Sequence, residues 1–69
     1  MKKMTLKKQF TLRLLELLDG RTAAWLAREL GITTPATYKW VTGTAIPSMD
    51  RWPDLARVFG LKSYHDLLP

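Results

Sequence analysis

Backbone breakers fall so closely along this chain that no element in it can be long. Asp19-Gly20, Gly31, the run from Gly43 to Pro47, and Gly60 cut the sequence into five short pieces. None of the pieces alternates apolar and polar residues with the period of a half-buried strand, and all five read as helices. The expectation is therefore an all-α chain of five helices, forming a single domain over the 69 residues 1–69. Hydrophobic residues make up 46% of it and three are Trp, the large side chains on which a core this small depends.

The pieces can be placed from their local signals. The first helix is expected from about Thr5 to Leu18, with Leu6, Phe10, Leu14 and Leu17 as its buried stripe and Gly20 closing it. Leu12 and Leu15 lie off that stripe, either as a wider core arc or as a partner surface. The second takes Thr22 as N-cap, continues through Leu26, Ala27 and Leu30, and stops at Gly31. Thr33 is expected to cap the third, with Pro35 in the first turn, where no N–H is needed, and Gly43 just past the end. The fourth has Asp50 as cap, Pro53 in its first turn, and Trp52, Leu55, Ala56 and Phe59 as its buried face. A last helix is expected over about Ser63 to Leu68, capped by Ser63.

Charge narrows the partners. Eleven basic and six acidic residues give a net charge of +5. Lys2, Lys3, Lys7, Lys8 and Arg13 fall in the first thirteen positions with no acid among them, a cluster that concentrates polyanions around it or keeps the chain soluble. The chain has no cysteine, which excludes disulfides and thiolate metal sites. His65 stands alone near the end and is read as a surface residue. Glu16, Asp19, Glu29, Asp50, Asp54 and Asp66 are scattered, and no Gly-rich phosphate loop or nucleophile–base pairing is visible, so neither an enzyme nor a cofactor, metal or small-molecule ligand is expected. No apolar stretch approaches the roughly 20 residues needed to cross a bilayer. The basic start, Met1-Lys2-Lys3-Met4, leads into no apolar signal core, because Lys7, Lys8, Gln9 and Arg13 interrupt it. A cytoplasmic protein with no membrane partner is expected.

Thr22 to Gly43 is the informative stretch. Gly31-Ile32-Thr33 is too short to let its two flanking helices lie antiparallel, and such a turn sets them at a steep angle. Ala27, four residues before the glycine, lets the third helix cross closely over the second, with Leu26, Leu30, Ile32 and Trp40 filling the wedge beneath. Thr34, Tyr38, Lys39 and Thr42 are left on the outer face, hydrogen-bonding groups of varied reach suited to base edges in a groove that admits one helix.

These residues carry a resemblance. Leu26-Ala27-x-x-Leu30-Gly31-Ile32-Thr33-Thr34-Pro35-Ala36-x-x-Lys39-Trp40-x-x-Gly43 is similar to the helix-turn-helix of the lambda repressor and Cro family, here over about residues 22–42. Gly43-x-x-x-Pro47 resembles the loop after its recognition helix. Arg51-Trp52-Pro53-Asp54-Leu55-Ala56-x-x-Phe59-Gly60-Leu61 resembles its fourth helix, and Tyr64 to Leu68 its fifth. The resemblance implies a compact five-helix domain that lays its third helix in the major groove, with dimers spanning two half-sites. It places Thr33, Thr34, Pro35, Tyr38, Lys39 and Thr42 on the DNA face, with Lys39 on guanine O6/N7 or on a phosphate. Thr22, Ala23 and Thr44 would meet the DNA backbone, joined by Lys2 and Lys3 of the basic start, and Tyr64 and Leu68 would pair two copies of the chain.

This sequence departs from the family's pattern at three places. Ala23 stands where the family often has a phosphate-clamping Gln, and Thr37 stands at an apolar position of the recognition helix. Glu16 and Val41 occupy the positions of an Arg–Glu pair between the first and third helices. What the resemblance implies is a phage or prophage Cro-like repressor in a bacterial or phage-infected cell, acting at the nucleoid by occupying an operator as a homodimer. The alternative is an antitoxin or other protein-interaction module on the same fold, with Leu12, Leu15 and Trp25 as its apolar patch.

Overall fold

The structure, a computed structural model, describes residues 5–67. Four α-helices run in order: α1 over Leu6–Leu18, α2 over Ala23–Leu30, α3 over Thr34–Val41 and α4 over Trp52–Val58. Single 3-10 turns occupy Met49–Arg51 and Tyr64–Leu67, and there is no strand among the described residues. The last segment is thus one 3-10 turn rather than the fifth helix expected over Ser63 to Leu68. Its bond from the Asp66 N–H to the Ser63 carbonyl spans three residues, the tighter register. Ser63 still caps it, its Oγ accepting from the His65 N–H at 3.2 Å. Leu68 lies outside the described residues.

Local chemistry sets most boundaries. The Thr5 side chain accepts from Lys8 N at 3.2 Å to start α1. The helix closes one residue earlier than expected, at Asp19 (φ 51°) rather than at Gly20; aspartate tolerates this left-handed conformation better than most side chains. Thr22 caps α2 by accepting from Trp25 N at 3.0 Å. Gly31 ends that helix at φ 71°, and the Ile32 N–H reaches back to the Ala27 carbonyl at 3.0 Å, which satisfies carbonyls the helix end would orphan. At α4, Asp50 is not the cap. It sits inside the 3-10 turn that leads into the helix, and Arg51 holds the cap position without a side-chain bond.

The helices meet around Phe10, Leu14, Leu18, Leu26, Trp40, Trp52, Leu55 and Leu67. The α1 stripe is therefore Phe10, Leu14 and Leu18, not the series from Leu6 to Leu17: Leu17 is half-buried and Leu6 exposed. Phe10 and Trp52 pack with ring centroids 5.4 Å apart, and the buried Trp52 indole N–H donates to the Pro47 carbonyl at 3.0 Å. Ala27 is buried on α2, while Leu30 and Ile32 only flank the core.

Two arginines fasten the ends. Arg13 donates to the Asp66 carbonyl at 3.0 Å and so ties the last turn to α1. Arg21 donates to the carbonyls of Leu18 and Leu17 and lies over the Trp25 ring, 4.1 Å from its centroid. No helix among the described residues is long and apolar enough to cross a membrane.

Candidate nucleic-acid interface

The buried side of α3 decides what its other side presents. Thr37 and Trp40 point into the molecule. Thr37 is fully buried (0% exposed), and its hydroxyl donates to the Ala23 carbonyl at 2.7 Å, with the Thr34 carbonyl 3.0 Å away. A polar group at an otherwise apolar position is thereby satisfied, and the satisfaction comes from the first residue of α2. On the side of α1, the Thr11 hydroxyl donates to the Trp40 carbonyl at 3.2 Å. Glu16 and Val41 make no ion pair across this crossing, and the threonine joins the two helices instead.

With that face fixed, Thr33, Thr34, Pro35, Tyr38, Lys39 and Thr42 are all exposed. Thr34, Tyr38 and Thr42 follow one another at four-residue steps and form a single stripe, with Pro35 and Lys39 beside it. Tyr38, a large aromatic, is 59% exposed. No acidic residue lies in the first turn of α3, and Lys39 stands in its last.

The hydroxyls on this face differ in how free they are. Thr33 occupies the N-cap position in extended geometry but makes no side-chain cap bond, contrary to the role expected of it. The reason is Pro35, which removes the N–H a cap would seek at the second helical position; the next, that of Ala36, goes to the Thr33 carbonyl at 3.2 Å. The Thr42 hydroxyl is committed instead, donating to the Tyr38 carbonyl at 2.9 Å and lying 3.2 Å from the Thr44 hydroxyl.

The flanks are mixed. The Thr22 hydroxyl is used in capping, whereas the N–H groups of Ala23 and Ala24, at the start of α2, have no partner within the helix. Thr44 is exposed, just past α3. Tyr64 belongs to another face. It stacks on His65 at 4.4 Å, meets Trp52 edge-on at 6.4 Å, and lines an apolar groove with Leu6 and Met49. Trp25 does not join Leu12 and Leu15 as an exposed patch, because Arg21 covers it and Phe59 packs against it at 6.2 Å. Lys2, Lys3 and Leu68 lie outside the described residues. Acidic groups collect elsewhere: Glu29 and Asp54 share a groove with Arg57, which pairs with Asp54.

The roles of Thr11 and Thr37 escaped the sequence, because each acts through a partner in another helix that no periodic pattern marks. No family model, no curated protein and no solved structure matches the chain.

Proposed function

We propose that this chain is a sequence-specific duplex DNA-binding protein of the lambda repressor and Cro type. In it α2, the turn and α3 form a helix-turn-helix and α3 enters the major groove. The observation that carries this reading is the division of α3 into a buried side, Thr37 and Trp40, and an exposed side of Thr34, Pro35, Tyr38, Lys39 and Thr42. A single short helix with hydrogen-bonding side chains, an aromatic and a cation on its open face is what the major groove accommodates and rewards. Thr33, Thr34, Tyr38 and Lys39 then face bases and flanking phosphates. The open N–H groups of Ala23 and Ala24 meet a phosphate at the positive end of α2, with Thr44 on the backbone beyond α3. The protein acts without chemistry of its own, as a cytoplasmic repressor that occupies an operator as a homodimer.

Selection of bound sequences from a random duplex pool tests this. A defined motif, bound with an affinity that falls steeply as salt rises, is the expected result, and salt-insensitive or absent binding overturns it.

A second reading has one observation in its favour. Leu12 and Leu15 are 43% and 47% exposed on α1, more apolar surface than a solvated helix face needs. On that reading the chain grips a protein partner, as an antitoxin does, and duplex binding is weak and unspecific.

A further inference from the structure

Lys7 and Lys8 stand on the N-terminal half of α1, and both line a groove that continues the open face of α3. Thr5, Lys7, Lys8, Thr11 and Leu12 form one wall; Thr42 and Gly43 form the other. The spacing of the walls is set by contact. The Thr11 hydroxyl holds the Trp40 carbonyl, and a Cβ placed on Gly43 would lie 3.5 Å from the Thr11 hydroxyl oxygen. Gly43 also has φ 81°, a conformation that suits glycine. Thr42 belongs to both surfaces, since it ends the exposed stripe of α3 and lines the groove.

The charge of this groove is one-sided. No acid lines it, and neither lysine makes an ion pair among the described residues. The contrast is the groove between α2 and α4, where Glu29 and Asp54 accompany Arg57. Ammonium groups without an ion pair, on a groove that no acid lines, are suited to phosphate oxygens. Length adds a second argument. From Thr34 to Thr42 the helical rise amounts to ~12 Å, about the width of the major groove. Thr42, and the groove it lines, therefore lie about one groove width from Thr34, at the far end of the exposed stripe.

We propose that Lys7 and Lys8 bind backbone phosphates of the duplex that α3 reads, beside the C-terminal end of that helix. This rests on the DNA-binding reading above. Because phosphates carry no base identity, the contact adds affinity and fixes register without altering sequence preference.

The test uses the full chain with Lys7→Gln and Lys8→Gln, singly and together, on a duplex selected by the parent protein and titrated over a series of salt concentrations. The slope of log K against log salt becomes shallower by about 0.9 for each lysine removed, while base preference and thermal melting stay as in the parent. Lys62→Gln removes the same charge beside α4, away from the groove, and leaves the slope unchanged. A double variant with the parent's slope overturns the proposal, and so does a Lys62→Gln effect of equal size. If the parent binds no duplex, the DNA-binding reading fails and this proposal fails with it. A parent that binds, with variants of unchanged slope, overturns the groove alone.

Discussion

The Thr37 hydroxyl donates to the Ala23 carbonyl oxygen at 2.7 Å, which ties the middle of α3 to the first residue of α2. Both residues depart from the pattern that the sequence resembles, and the departures meet. The acceptor is the backbone of residue 23, so the hydroxyl at 37 alone supplies the bond, where an apolar side chain would only pack. Thr37→Val keeps the shape and removes the bond. It is expected to lower the unfolding free energy by about 1 kcal/mol, read as a shift of the urea midpoint at unchanged m-value. A midpoint equal to the parent's would show that the bond contributes nothing to folding.

Ala27→Leu is expected to cost about 1–3 kcal/mol, because the side chain overpacks a buried position where α2 and α3 cross. A chain of 69 residues has little stability in reserve, so the melting temperature drops sharply or the cooperative transition disappears. Ala24→Leu on the same helix is the control. Ala24 is exposed, and its replacement leaves the melt nearly where it was.

Lys39→Ala tests the open face of α3. The side chain is exposed and supports no other part of the fold, so melting is unaffected while duplex affinity falls by roughly 1 kcal/mol or more if a base is touched. A loss equal on every sequence, with a shallower salt slope, assigns Lys39 to a phosphate. Unchanged affinity removes it from the DNA face.

Stoichiometry follows from the small number of readers on one helix. On the proposed DNA-binding reading, Thr34, Tyr38 and Lys39 supply a few contacts, each worth about 1–3 kcal/mol of discrimination. Specific sites are typically separated from non-specific ones by roughly 4–10 kcal/mol, a gap that two symmetric copies close. Sedimentation on a selected duplex is therefore expected to show two chains per site, with half-sites about 34 Å apart, and largely monomeric protein at micromolar concentration without DNA. Substitutions in the apolar groove of Leu6, Met49 and Tyr64 then test whether that surface pairs the two copies. One chain per saturated site would rule the dimer out.

What the sequence made legible was local. Thr22 capping α2, Gly31 turning out of it, and Pro35 opening α3 each depend on neighbours within a few residues, and each stands where the sequence put it. The exposure of all six expected α3 residues followed in the same way, once Trp40 was placed in the core. Contacts between distant segments were not legible. Arg13 reaches the Asp66 carbonyl across 53 positions, and Thr11 reaches Trp40 across 29, with no motif to announce either. The stripe of α1 was misjudged at Leu6 and Leu17 because several leucines share that helix, and the packing of α3 and of the last turn against it, with the Trp52 ring on Phe10, selects which of them turn inward. The final turn resembled a helix in composition. Its tighter register rests on one backbone bond that side-chain patterns do not encode.

Because Pro35 leaves no donor at the second helical position, α3 begins without help from the Thr33 side chain. The hydroxyl at position 33 thus takes no part in capping the helix, whereas that of Thr42 is already claimed by it. Exchange of the side chain at 33 therefore removes no bond from the start of the helix. At 42 the same experiment disturbs the end of the helix itself.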